Sequence, residues 1–124
     1  MRLAYIAIDP QELLAATAGD AALFCSLSHI FLDAAPAAFN RMQLAGQLDA
    51  GRSSSAFIAA SHSLRGMTAL VGARALTAQL AELERQARDG NCPTGSAMAP
   101  AGSLLALVCD EVRRSMDSMP DALA

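Results

Sequence analysis

His62, Arg65 and Gly66 stand three and four residues apart, so on a helix they share one face over a single turn. At about 100° per residue over 55–72, Phe57, Ala60, Leu64 and Val71 gather on one side, with Ser61 and Thr68 beside them. His62 falls nearly opposite Leu64. A histidine kept for packing would sit on the apolar side, so this imidazole is read as facing outward. A neutral ring nitrogen can attack a phosphorus centre in line and later give the phosphoryl group up again, without a separate base. Arg65, about one turn away, is a permanent cation able to hydrogen-bond phosphoryl oxygens and offset their charge. Gly66 costs about 1 kcal/mol relative to alanine in a helix interior. The compensating gain is clearance beside the imidazole for a phosphoryl group and for whatever delivers it.

The neighbours of His62 on this face are Ser55, Ile58, Ala59 and Ala69, small or mildly apolar. An exposed face of an ordinary helical protein would carry Glu, Lys and Arg, so the bald patch reads as a docking surface. Ile58 is taken as a docking contact and Phe31 as core. A plain surface histidine on an alanine-rich helix would not explain why Arg65, Gly66 and Gly72 accompany it. His29 has no comparable setting and reads as a packing or surface residue. Glu82, Glu84, Arg85 and Arg88 read as a solvated face with helical ion pairs, and the methionines as core gap fillers. The glycine-rich residues 90–102 lack GxxxxGK[ST] spacing and follow no strand, which argues against a nucleotide cradle.

The elements that must position these residues are helices. Asp9-Pro10 starts a short helix at about 10–18, closed by Gly19. Asp20 caps a second, with Leu23, Phe24, Leu27, Ile30 and Phe31 at helical spacing; Pro36 predicts a kink or restart before Phe39, Met42 and Leu48. Asp49-Ala50-Gly51 is a turn, and Ser53 to Ser55 offer caps for the helix of His62. Gly72 breaks that helix, and Ala73 opens a fourth through Leu76, Leu80, Leu83 and Ala87 to Asp89-Gly90, with Arg85 and Arg88 near the negative end of its dipole. Residues 90–102 read as a mobile loop. A last helix has Leu104, Leu105, Leu107, Val108, Val112 and Met116 apolar, and Asp110, Glu111, Arg113 and Arg114 polar. No run alternates with period two. The expectation is an all-α fold: an up-and-down antiparallel four-helix bundle over about 20–118, preceded by a short extra N-terminal helix.

Composition agrees. The 124 residues fit a single domain, and 53% apolar against 4% aromatic, with no Trp, favours packed helices over a β-sandwich. A net charge of -3, with nine basic residues forming no block, argues against nucleic acid. Cys25, Cys92 and Cys109 are too few and too scattered for a disulfide framework or a zinc site and read as reduced thiols. The N-terminal apolar run from Arg2 to Ile8 is too short for a signal-peptide core or a membrane span. A cytoplasmic monomer that touches no membrane is expected.

The stretch Ser61-His62-Ser63-Leu64-Arg65-Gly66-Met67-Thr68-Ala69-Leu70-Val71-Gly72 resembles the signature of the histidine-containing phosphotransfer (HPt) family: a histidine followed by a basic residue at the third position and glycines at the fourth and tenth. The likeness continues into Leu76, Leu80, Leu83-Glu84 and Ala87-Arg88, and upstream Ile30 to Pro36 is similar to the family's second helix. It covers about Asp9 to Gly90, while the last helix matches in amphipathic character alone. The resemblance implies a phosphorelay role in two-component signalling, with His62 as phosphoacceptor at its outer ring nitrogen, Gly66 as clearance and Arg65 where the family usually has lysine. It also implies partners, namely the receiver domain of a hybrid histidine kinase and that of a response regulator, with magnesium on the receiver. The chain itself would need no cofactor and no metal, and would be a phosphocarrier without ATP site or kinase activity. The rival readings are an interaction module that binds a receiver or kinase through the same face without durable phosphorylation, and a purely structural bundle.

Overall fold

Asp9, Asp20 and Ser54 each accept a backbone N–H two or three residues on, from Gln11 (3.0 Å), Leu23 (3.0 Å) and Phe57 (3.1 Å). Each therefore satisfies an orphan donor and begins a helix: α1 (Pro10–Ala16), α2 (Ala21–Leu48) and α3 (Ser55–Leu70). Two more follow, α4 (Arg74–Arg88) and α5 (Gly95–Asp117). The computed structural model describes residues 5–119, and among these there is no strand. Arg2 and the start of the N-terminal apolar run lie outside the described residues.

Between α3 and α4 the chain turns at Gly72, whose φ of 72° suits glycine. A Cβ there would meet the Asp9 backbone oxygen at 2.7 Å, and the Asp9 N–H donates to the Val71 carbonyl at 3.3 Å. One glycine thus ends the histidine's helix and admits the start of α1 against it.

Two expectations are corrected. α2 does not restart at Pro36 but runs unbroken through it. Pro36 is exposed while Phe31, Ala35, Ala38, Phe39 and Met42 are buried, so packing carries one stripe past the lost hydrogen bond. The expected loop of 90–102 is cut short because α5 already begins at Gly95. Met98 and Ala101 are buried there, and a Cβ on Gly102 would lie 3.3 Å from the Phe39 ring. The remaining connection is pinned too: Cys92 is buried and donates its N–H to the Arg52 carbonyl at 3.0 Å, and a Cβ on Gly46 would strike the Pro93 carbonyl oxygen. Gly102, which looks like a loop marker in sequence, is a point of close approach between α5 and α2.

In the interior, α2 packs on α3 and α5, α4 packs on α3 and α5, and α1 leans on α2 and α3. Phe24, Met42, Phe57, Leu64, Leu76, Leu80, Met98, Val108 and Val112 fill the space between them. By length and composition α2 is apolar enough to cross a membrane, but its inward stripe forms part of this core.

Glu111, one of the polar residues of the last helix, is 1% exposed. Its carboxylate accepts the backbone N–H groups of Ile6 (3.2 Å), Ala7 (2.9 Å) and Ile8 (3.2 Å), clasping the segment ahead of α1 to α5. Arg114 stands 3.6 Å from the same carboxylate and lies over the Tyr5 ring, 5.5 Å from its centroid. A hydrogen bond to a charged group is worth about 1.5–3 kcal/mol. Glu111→Ala should therefore lower stability by at least about 2 kcal/mol in urea unfolding and speed amide exchange at residues 6–8 more than in α3 or α4. Unchanged exchange at those three amides would refute the clasp.

Candidate functional site

Ser54 at its start and Gly72 just past its end fix the register of α3, and with it which residues face water. Phe57, Ala60, Ser61, Leu64 and Thr68 are buried, and His62 is exposed. Ser55, Ala59, Gly66 and Ala69 are exposed with it, whereas Ile58 and Arg65 are half-buried. A Cβ placed on Gly66 would meet nothing within 4 Å. No internal contact demands this glycine, so the space beside the imidazole opens outward. Ala69 lies a turn further along, at the rim of an open groove of about 440 Å³ lined also by Gly72, Arg74, Thr77 and Ala78. His29 is exposed on α2, and Phe31 is buried as expected.

Arg65 is held from two sides. Its Nε donates to Glu84 Oε1 on α4 at 3.1 Å, and its terminal nitrogen stands 3.4 Å from His62 Nδ1. The other Glu84 oxygen accepts from Arg88 Nε at 3.1 Å and from its terminal nitrogen at 2.8 Å. Ser61, beneath the histidine, donates its hydroxyl to the Leu80 carbonyl at 3.2 Å and lies 3.5 Å from Glu84 Oε1. A guanidinium can only donate, so Arg65 meets the Nδ1 edge of the imidazole, and Nε2 has no partner among the described residues.

Glu84 is the candidate-site residue that the sequence reading misplaced. It is 4% exposed and ties α4 to α3 through Arg65, rather than standing on a solvated face. The signal was available: Glu84 lies four residues after Leu80 and three before Ala87, within the core stripe of α4. The expected solvated face survives around it, where Arg85 pairs with Glu82 and, at 2.8 Å, with Asp89. Exposed Glu82 is pulled down to about 2 by hydrogen bonds from Arg85 and Gln86. For Glu84, burial works to raise the carboxyl, but the Arg88 hydrogen bonds and the charges of Arg65, Arg88 and His62 outweigh it and leave it below its ordinary 4.5. Among the described residues no group of three or more His, Cys, Asp or Glu side chains is placed to hold a metal ion.

A carboxyl lowered on folding adds stability that is present above its unfolded value and is lost as pH falls through the folded one. The Glu84 contribution is therefore full above about pH 4.5 and fades on acidification below it. Glu84→Gln should cost about 1–3 kcal/mol at neutral pH. It should also flatten the acid limb of the stability profile, read as urea midpoints between pH 3 and 7, relative to the parent. A variant whose profile runs parallel to the parent would show that the carboxylate does not carry this linkage.

The family model described as the Hpt domain matches residues 26–115, a span that holds all of α3 and α4 and most of α2 and α5. Comparison with curated proteins and with solved structures returned no match. His62, Arg65, Gly66 and Glu84 all lie inside the matched span, and so does most of the last helix, whose sequence likeness alone was limited to its amphipathic character. With an all-helical chain and a match over most of its length, the protein belongs to the Hpt domain family of two-component phosphotransfer systems.

Proposed function

We propose that the chain is a histidine phosphocarrier: His62 takes a phosphoryl group from the aspartate of one receiver domain and passes it to another. The observation that carries this reading is the exposed imidazole with a guanidinium held 3.4 Å from its Nδ1 edge and open space at Gly66 on the same face. In the first transfer the lone pair of the outer ring nitrogen, Nε2, attacks the phosphorus of the aspartyl phosphate. An N–P bond forms, the P–O bond to the aspartate breaks, and the carboxylate leaves with its electron pair. The second transfer reverses these steps on another aspartate. Arg65, steadied by Glu84, offers its remaining donors to the phosphoryl oxygens. Magnesium belongs to the receiver, so the carrier needs neither metal nor ATP.

In this reading the four long helices form an up-and-down antiparallel bundle, a rigid mount for one side chain. Ser55, Ile58, Ala59 and Ala69 make the docking patch, with the receiver of a hybrid histidine kinase upstream and a response regulator downstream. A reducing, cytoplasmic setting fits the three free cysteines; burial pushes the thiols of Cys92 and Cys109 up, which keeps them protonated. Arginine in place of the family's usual lysine keeps the charge and changes its shape, so partner preference or the lifetime of the phosphohistidine would be where this carrier differs.

Incubation with a phosphorylated receiver should label the chain in an acid-labile form, and His62→Gln should abolish the label. Arg65→Ala should slow transfer roughly 10–100-fold, the worth of a charged hydrogen bond, while Arg65→Lys retains most of it. Receiver binding without label transfer would overturn the carrier and leave an interaction module on the same face.

The two roles of Gly66 separate cleanly. Gly66→Ala should raise stability by about 0.5–1 kcal/mol, because nothing inside the fold needs the gap. Gly66→Gln should remain folded and lose transfer. If Gly66→Gln transfers at the parental rate, the clearance argument fails.

A further inference from the structure

α2 carries an apolar stripe that the core does not use. Leu23, Ile30 and Leu44 are 44%, 59% and 52% exposed, and Leu48, at the end of the helix, is 83% exposed. Leu23, Ile30, Ala37 and Leu44 follow one another at intervals of seven, so they lie along one line of the helix surface. The core stripe of α2 lies on a different side, so these residues are extra to the bundle.

The charges on this helix select the partner. α2 has one acidic residue, Asp33, and two basic candidates of which one is permanently charged, Arg41; His29 is the other. Neither Asp33 nor Arg41 has an ion-pair partner among the described residues, and both are exposed. They stand four residues either side of Ala37, just as Ile30 and Leu44 stand seven either side. An antiparallel pairing about Ala37 sets Asp33 level with Arg41 of the partner subunit and Ile30 level with Leu44 of the partner subunit, and symmetry makes each contact twice. Ala37 would meet its own copy, where small side chains allow the close approach of helices 8–10 Å apart. A parallel pairing would instead set Asp33 against its own copy, and like charges repel.

We infer that the outer stripe of α2 is an isologous, antiparallel interface with a second copy of this chain, centred on Ala37. At about 1.5 Å per residue the 28-residue helix is some 42 Å long, which gives the seam several turns of contact. The monomer expected from the sequence leaves Leu23, Ile30, Leu44 and Leu48 facing water. The inference stands apart from the phosphotransfer reading, since it uses no residue of α3.

Sedimentation of the intact chain across a concentration series tests it. The parent should form a dimer. Asp33→Arg and Arg41→Asp should each weaken it about tenfold or more, and the double variant Asp33→Arg with Arg41→Asp should recover most of the loss. Ala37→Cys should give a disulfide-linked dimer on mild oxidation, and Ala22→Cys, off the stripe, should not. Circular dichroism confirms that each variant remains helical. A chain that stays monomeric at about 100 μM, a dimer indifferent to both reversals, or a double variant no better than the singles overturns the inference. So does a monomer that uses the same stripe to bind a receiver.

Discussion

The carboxylate of Glu84 is the interaction on which the site depends. It lies between α3 and α4, almost wholly shielded from water, and takes Arg65 on one oxygen and Arg88 on the other. A buried charge is tolerated when hydrogen bonds satisfy both of its oxygens, and here two guanidinium groups do so. Because Arg65 comes from the helix of the histidine and Arg88 from the helix of the glutamate, the same contact joins the two helices and aims a cation at the imidazole. Arg65 would otherwise be a long, mobile side chain with much rotamer freedom to lose on meeting a phosphoryl group. Anchored at Nε, it has already lost much of that freedom.

The face around His62 is built by subtraction. Alanine, serine and glycine occupy positions where a solvated helix would carry charge, and the one strong charge present is tethered inward. This is consistent with a protein that supplies a nucleophile and a steady cation and leaves the metal and the remaining charge stabilisation to its partner. The rigidity comes from below: Ser54 and Gly72 bracket the helix, and the Ser61 hydroxyl is tied to the backbone of α4.

Glu84 and Glu111 share a lesson. Each is a buried acid in a stretch of charged residues, and each links parts of the chain far apart in sequence, Glu84 to Arg65 and Glu111 to the amides of residues 6–8. For Glu84 the position within the stripe of Leu80 and Ala87 was a usable signal. For Glu111 the partners are backbone groups more than a hundred residues away, which no local pattern encodes.

The sequence by itself determined the local matters: the capping residues Asp9 and Asp20, a cap among Ser53 to Ser55, the stripe of α3, the outward direction of His62, the break at Gly72, and the family to which Ser61 to Gly72 points. These follow from helical periodicity and from the chemistry of single residues, which act over a turn or two. Tertiary structure decided what depends on packing against distant segments. It carried α2 through Pro36 and drew Gly95 to Gly102 into α5 against Phe39, where local propensity alone reads a break and a loop. It also turned Arg65 from a nearby cation into a positioned one. The exposed imidazole was legible because a helix wheel records burial; the clasp that orients its arginine was not, because a buried ion pair exists only once two helices have met.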